Sequence, residues 1–175
     1  MSDIDFARRF GGIDRLYGPG NLERLTHAHV CIVGIGGVGS WAAEALARSG
    51  VGHLTLVDLD HVAESNINRQ IHALDTTLGR AKVLAMGERI AAINSRCRVD
   101  LVEEFVTADN ASDLMPACDV LIDAVDQVAA KAALIVEGRA RGTPVVTTGG
   151  AGGKTDPGSI RIDDVDIREA DPEDV

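Results

Sequence analysis

The sequence predicts an α/β fold, a doubly wound and mostly parallel sheet with helices on both faces. Short runs of Val, Ile and Leu alternate with longer segments whose apolar residues recur at helical spacing. Strands that alternate with helices specify a parallel sheet with right-handed crossovers. Aromatic residues make up only 3% of the 175 residues, so the core is expected to be aliphatic. This length suits one domain with one core.

The predicted elements follow one another in a regular order. An N-terminal arm (1–28) is predicted to contain a turn at Pro19-Gly20-Asn21, where Asn21 would cap a helix. A central domain (29–163) follows, and then an acidic tail (164–175). Strands are predicted at 29–34, 54–58, 99–102, 120–123, 144–148 and 160–162. Helices are predicted at 40–49, 80–94 and 127–141, with a short one opening at Asp109, and residues 60–78 are read as a loop with short helical turns.

Composition excludes several classes of protein. The formal net charge of -10 argues against nucleic-acid binding by this chain alone, because phosphate contacts require clustered Lys and Arg. The three cysteines lack metal-ligand spacing, and Cys31 and Cys118 are expected to be buried, inert thiols in a cytoplasmic protein. The N-terminal MSDIDFARRF lacks the apolar stretch of a signal peptide, and no membrane-spanning segment is expected.

A glycine-rich turn indicates a nucleotide site. Gly34-Ile35-Gly36-Gly37-Val38-Gly39 follows a strand and opens a helix, which is the context of the Rossmann fingerprint. Gly34 permits the turn, Gly36 lets backbone approach a phosphate, and Gly39 allows helix and strand to pack. Asp58 ends the second strand, where a carboxylate accepts from ribose hydroxyls. The motif leaves NAD, FAD and ATP open, and the alternative is a turn that serves packing alone.

Charged residues at other strand ends favour ATP. Arg69, Lys82 and Asp126 follow strands whose ends share one edge of the sheet, where ligands bind. When a carboxylate attacks the α-phosphate of ATP, Arg69 and Lys82 would offset the gathering negative charge, and Asp126 would hold Mg²⁺. Arg80 and Lys82 lie two residues apart, so only one faces the pocket, and we favour Lys82. The alternatives are solvated cations, and aspartates (Asp123, Asp126) that cap a helix.

Five segments resemble the ubiquitin-activating and sulfur-carrier-activating enzymes in sequence and order: GIGGVG (34–39), LVDLD (56–60), SNINRQ (65–70), LGRAK (78–82) and DAVDQ (123–127). The resemblance covers essentially the whole chain and implies a carboxylate-adenylating enzyme that uses ATP and Mg²⁺. The ATP and Mg²⁺ residues it implies are Gly36, Asp58, Asn66, Arg69, Gln70, Lys82 and Asp126. It also implies a homodimer in which an N-terminal arginine, Arg15 or alternatively Arg9, reaches the partner's γ-phosphate.

Within that superfamily, four segments are similar to bacterial tRNA threonylcarbamoyladenosine dehydratases: RFGGIDRLYG (9–18), GIGGVGSWAAEALARSG (34–50), SNINRQIHAL (65–74) and VVTTGGAGG (145–153). Trp41, directly after the turn, is more distinctive than the glycines. This resemblance implies adenylation of the free carboxylate on the modified adenosine, followed by ring closure and loss of AMP. It implies tRNA as substrate and sulfur-transfer proteins as further partners.

The sequence is also compatible with other functions. A sulfur-carrier activator is the first alternative, but such enzymes commonly carry a C-x-x-C zinc pair after the fifth strand, and no cysteine follows Cys118. An NAD-dependent oxidoreductase and a nucleotide-binding pseudo-enzyme are the others. Family members continue past residue 175, so we expect a shortened chain that binds ATP and lacks the basic tRNA-facing part. The glycine-rich stretch 147–153 is either an anion-binding nest or a loop without a ligand, and Lys154 is expected to be solvated.

Overall fold

An all-parallel sheet lies at the centre of the computed structural model, which describes residues 5–150 and 155–164. Its five strands are β1 (His29–Val33), β2 (His53–Val57), β3 (Arg98–Val102), β4 (Val120–Asp123) and β5 (Val145–Thr147), in the order β3-β2-β1-β4-β5. The helices are α1 (Phe6–Phe10), α2 (Gly12–Tyr17), α3 (Asn21–His27), α4 (Gly39–Arg48), α5 (Lys82–Ile93), α6 (Ala111–Leu114) and α7 (Val128–Arg141). The predicted fold class is confirmed.

Both faces of the sheet are covered by aliphatic side chains. Along β1, Val30 and Ile32 pack with α4 and α5 on one face, and Cys31 and Val33 pack with α6 and α7 on the other. A strand buried on both faces reads as a continuous apolar run, which is why β1 was predictable. Burial raises the pKa of the Cys31 thiol to about 12, so this cysteine is inert at neutral pH, as expected.

One predicted element is wrong. Residues 160–162 do not form a strand but follow a 3₁₀ turn at Pro157–Ser159 in an irregular, exposed segment. Ile162 is 100% exposed, so it buries no apolar surface that would hold the segment against the sheet. Residues 151–154, which include Lys154 and part of the glycine-rich stretch, and residues 165–175 of the acidic tail lie outside the described residues. None of the helices in the described ranges is long and apolar enough to cross a membrane.

The strand order creates a crevice at the carboxyl ends of β1 and β4. The chain turns to opposite faces of the sheet after these neighbouring strands, so their loops separate. Gly34 ends β1 with a φ of +89°, and a Cβ there would lie 2.7 Å from the carbonyl oxygen of Ala124. A Cβ on Gly39 would lie 1.8 Å from the carbonyl oxygen of Gly34. Both positions therefore require glycine for close packing of turn, strand and helix.

Candidate active site

A cleft of about 640 Å³ opens at the carboxyl ends of all five strands. The predicted site residues that line it are Gly34, Gly36, Gly37, Asp58, Asn66, Arg69, Gln70, Lys82 and Asp126. Gly39 packs beneath the turn, and Arg15 lies on the exposed surface of α2. A shallower depression of about 450 Å³ lies near the amino ends of β1 and β4 and contains none of the predicted site residues that fall in the described ranges.

Asp58 organises the glycine turn. Its Oδ2 accepts a hydrogen bond from the backbone N–H of Ile35 at 2.6 Å, and its Oδ1 accepts one from the N–H of Asp60 at 2.8 Å. Each carboxylate oxygen retains acceptor capacity beyond these bonds. Asp58 can therefore hold the turn and still accept from a ligand hydroxyl, a double role that spacing alone did not reveal.

Arg69 lies against the glycine turn from the loop between β2 and α5. The Cγ and Cδ atoms of Arg69 lie 3.6 Å from the Cβ position of Gly37, which is ordinary van der Waals distance. Its guanidinium donates to the carbonyl oxygen of Ser65 at 2.7 Å and to Oδ1 of Asn68 at 3.0 Å. Because both acceptors are neutral, they do not offset the positive charge of the guanidinium. That charge lies beside the glycine backbone to which a phosphate would bind.

Asn66 and Gln70 shape the same loop and differ in how their amides are satisfied. Oδ1 of Asn66 accepts from the backbone N–H of Ala63 at 2.9 Å, which closes a short 3₁₀ turn. Gln70 is only 6% exposed, and its Oε1 has no hydrogen-bond partner within the described part of the chain. Because buried amides are normally satisfied, this side chain fits a site that receives a polar ligand.

Lys82 enters the cleft from the first turn of α5. Its Nζ donates to Oδ2 of Asp60 at 2.7 Å, and its side chain is 8% exposed, whereas that of Asp60 is 67% exposed. The Lys82 ammonium group is therefore held in place by an ion pair at the cleft. Arg80 pairs instead with Glu88 and does not line the cleft, so of these two described cations only Lys82 faces it.

Asp123 and Asp126 have different environments although both follow β4. Asp126 is exposed and lines the cleft, and no side-chain bond caps the first turn of α7 within the described residues. Asp123 is fully buried and accepts from Nζ of Lys131 at 2.6 Å and from Oγ1 of Thr147 at 2.6 Å. Asp123 therefore joins β4, β5 and α7, and Asp126 is the one available to a ligand.

The cleft carries more negative than positive side chains, which is unfavourable for a polyanionic ligand. Four carboxylates (Asp58, Asp60, Glu104 and Asp126) and two cations (Arg69 and Lys82) line it. No group of three or more metal-ligating side chains occurs among residues 5–150 and 155–164. The carboxylates of the cleft fit Mg²⁺, because this ion binds through one or two carboxylates and takes its other ligands from water and phosphate oxygens. A bound divalent cation would offset the excess of carboxylates.

An apolar wall completes the cleft, and sequence reasoning missed it. Leu59, after β2, and Phe105, after β3, each have 45% of their surface exposed and line the cleft. Val57, Val106 and Ala130 of the core also reach it. Single apolar residues in loops carry no periodic signal, so the sequence did not single them out. A flat apolar group such as a nucleotide base fits this wall.

Arg9 and Arg15 are distinguished by their contacts. Nη1 of Arg9 donates to the carbonyl oxygen of Ile93 at 2.8 Å, which ties Arg9 to the end of α5. Arg15 has no hydrogen bond or ion pair with the residues that the structure describes, and it does not reach the cleft of its own chain. Of the two, Arg15 is the one available to another molecule.

His72 is a buried histidine close to the cleft. It is 1% exposed, and neither ring nitrogen has a hydrogen-bond partner in the described ranges. Burial, with smaller contributions from the positive charges of Lys82 and Arg89, lowers the pKa of His72 to about 4. The imidazole is therefore neutral in the folded protein at physiological pH.

We expect His72 to lower the free energy of unfolding by about 2 kcal/mol when the pH is decreased from about 7.5 to about 5. Over that range the unfolded chain takes up a proton at a pKa near 6.5, which the folded chain excludes until about pH 4. Urea unfolding of the wild type and of His72→Leu at both pH values measures this effect. The leucine variant should lose this part of the pH dependence, whereas the exposed-site control His61→Gln should keep it. Equal pH dependence in the wild type and His72→Leu would contradict the assignment.

Comparison with known proteins places this site in a family. The model of the ThiF family matches residues 11–166. The chain belongs to the ThiF family. Membership in the ThiF family confirms the resemblance drawn from the five sequence segments, and it covers every strand and the whole cleft.

Several ThiF-family relatives of high identity carry one functional name. The chain is 49% identical to the tRNA threonylcarbamoyladenosine dehydratase of Haemophilus influenzae, over 98% of this chain and 67% of that protein. It is 53% identical to the Escherichia coli protein of that name, over 95% of this chain and 63% of that protein. A crystal structure of the E. coli enzyme in complex with ATP superposes with a TM-score of 0.86, covering 90% of this chain and 65% of that one. The chain thus spans about two thirds of the length of these relatives.

Proposed function

We propose that the cleft binds ATP and adenylates the carboxylate of threonylcarbamoyladenosine in tRNA, as the activating step of an ATP-dependent dehydration. The observation that carries this proposal is the convergence of the glycine turn, Arg69, Lys82 and Asp126 on one cleft. The high identity to dehydratases, one of them solved with ATP, supports it. A tRNA substrate would place the protein in the cytoplasm.

The residues of the cleft match the charge changes of adenylation. A carboxylate oxygen of the substrate forms a bond to the α-phosphorus, and the bond to the leaving pyrophosphate breaks. Arg69 and Lys82 would stabilise the charge that gathers on the phosphate oxygens. Lys82 would exchange Asp60 for a phosphate oxygen, and it is already aimed into the cleft. Mg²⁺ held by Asp126 would supply further positive charge.

Adenylation needs no general base, because the attacking carboxylate is already ionised at neutral pH. Dehydration then follows from the activated carboxyl group. The neighbouring carbamoyl group attacks the acyl carbon and closes a ring, its N–H proton passes to solvent, and the acyl–oxygen bond to AMP breaks. The oxygen lost from the carboxylate leaves with AMP, so the nucleoside has lost the elements of water. The active cleft needs to exclude water from the acyl-adenylate, and its apolar wall at Leu59 and Phe105 is suited to that.

We also propose that the protein acts as a homodimer in which Arg15 serves the partner's cleft. Arg15 is exposed and points to no acceptor among the described residues of its own chain, which is what a residue acting in trans requires. Sulfur-transfer proteins would then be partners of the assembled enzyme and not components of the cleft.

Calorimetric titration with ATP and with NAD, each with and without Mg²⁺, tests the proposal. Mg²⁺-dependent binding of ATP and no binding of NAD are expected. Pyrophosphate exchange should then require threonylcarbamoyl-modified tRNA and ignore a protein partner with a C-terminal diglycine. Binding of NAD in place of ATP would overturn the proposal.

Asp126→Ala is expected to weaken the Mg²⁺-dependent component of ATP binding by roughly 10- to 100-fold, the usual scale for losing a group that supports a bound metal. Melting temperature should not change, because Asp126 is exposed and has no described structural partner. Asp113→Ala, an exposed aspartate on α6 outside the cleft, is the matched control. Wild-type Mg²⁺ dependence in Asp126→Ala would remove Asp126 from the site.

A further inference from the structure

Trp41 is the only tryptophan of the chain and lies in the first turn of α4. It is 52% exposed, so its burial does not explain its presence beside the glycine turn. Its indole Nε1 donates a hydrogen bond to the backbone carbonyl oxygen of Arg69 at 2.9 Å. An exposed indole N–H could donate to water instead. Here it donates to the loop between β2 and α5, so the bond tethers that loop to α4.

Backbone hydrogen bonds close the tethered segment at its ends, and Ile71 and Ala73 attach it further along by packing against buried apolar residues. The N–H of Val62 donates to the carbonyl oxygen of Arg80, and the N–H of Gly79 donates to that of Val62, which closes the base of the loop. In its middle, the N–H of Arg69 donates to the carbonyl oxygen of Asn66 at 3.1 Å within the loop itself. Trp41 links this middle part to α4, the helix that the glycine turn opens.

The tether acts at the residue whose side chain faces the turn. The stem of Arg69 lies at van der Waals distance from the Cβ position of Gly37, four residues before Trp41. The glycine backbone of the turn and the side chain of Arg69 thus lie side by side, and Trp41 holds the backbone of Arg69. A shift of the loop by an ångström would move that guanidinium relative to the backbone N–H groups of the turn.

We propose that Trp41 is a positioning residue that fixes Arg69 against the glycine turn, so that guanidinium and turn address the same phosphate group. This inference rests on the proposed function, because it takes the ligand of the turn to be the triphosphate of ATP. Trp41 itself acts through Arg69 and not through contact with the nucleotide.

A double-mutant cycle tests the coupling. Trp41→Phe keeps an aromatic ring and removes the indole N–H, and Arg69→Ala removes the guanidinium. By calorimetry, Trp41→Phe should weaken binding of ATP and of inorganic tripolyphosphate by about 3- to 10-fold, the loss of one hydrogen bond. It should leave adenosine binding, followed by saturation-transfer NMR, unchanged. In the Arg69→Ala background the same Trp41→Phe change should have no effect on ATP binding. Val136→Ala, an exposed apolar residue on α7, is the control.

Hydrogen exchange without nucleotide separates this inference from the proposed function. Backbone amides in 62–72 should exchange faster in Trp41→Phe than in the wild type, and Val136→Ala should match the wild type. If the wild type bound no ATP, the proposed function would fail, and the exchange comparison alone would decide whether Trp41 holds the loop. Unchanged exchange would overturn the tether. Equal losses of ATP affinity from Trp41→Phe with and without Arg69 would overturn its action through Arg69.

Discussion

Lys131→Met is expected to lower the free energy of unfolding by about 3–5 kcal/mol, the cost of leaving a buried charge without its partner. Asp123 has no exposed surface, and Nζ of Lys131 at 2.6 Å is its cationic partner. The hydroxyl of Thr147 and the N–H of Val125 would remain as donors to the carboxylate, but neither carries a charge. Urea unfolding followed by circular dichroism measures the loss.

Two further variants isolate the mechanism of that loss. Adding Asp123→Asn to Lys131→Met removes the uncompensated charge and keeps an acceptor for Thr147, so stability should partly recover. Arg80→Ala breaks the more exposed pair with Glu88 and should lower stability much less than Lys131→Met does, because solvent screens an exposed ion pair. A loss below about 1 kcal/mol in Lys131→Met, or no recovery in the double variant, would show that the pair is not a stabilising joint.

Lys82→Gln is expected to weaken ATP binding by roughly 10- to 100-fold, corresponding to about 1.5–3 kcal/mol for a hydrogen bond between charged groups. Among the described residues, the cleft is lined by four carboxylates and only two cations, Arg69 and Lys82. The Lys82 ammonium group therefore supplies a large part of the attraction for a triphosphate. Glutamine retains a hydrogen-bond donor and removes the charge. The fold should survive, because Asp60 remains solvated when the lysine is removed.

Arg80→Gln is the matched control for that change. It removes a cation two residues away that pairs with Glu88 and does not line the cleft. ATP affinity, measured by calorimetry in the presence of Mg²⁺, should remain within about twofold of the wild type, as for a solvated surface charge. Equal effects of Lys82→Gln and Arg80→Gln would mean that net charge, and not the position of Lys82, governs binding.

The order of strands and helices could be predicted because each element carries its own local pattern. β1 and β2 are short aliphatic runs, and α5 places Val83, Met86 and Ile90 on one buried face. The predicted strand at 160–162 failed because three alternating residues match an exposed, irregular segment as well as a strand. What distinguishes the two is a neighbouring strand that accepts the backbone hydrogen bonds, and no local pattern specifies that neighbour.

The phosphate side of the cleft was readable for a similar reason. Its glycines and charged residues stand at strand ends, and a parallel sheet brings all such ends to one edge. The apolar wall was not readable, since Leu59 and Phe105 are isolated in loops. Their contribution arises only because β2 and β3 are neighbours in the sheet, which places the two loops side by side.

By itself, the sequence determined the α/β class, the glycine turn and the set of charged residues at the strand ends. Only the tertiary structure decided how those charges are shared: Lys82 is held by Asp60, Asp123 is buried with Lys131, and Asp126 is left to the cleft. The physical reason is that the free energy of a charge depends on its burial and on the distance to its partner. Both quantities are set by which elements pack together, and spacing along the chain does not contain them.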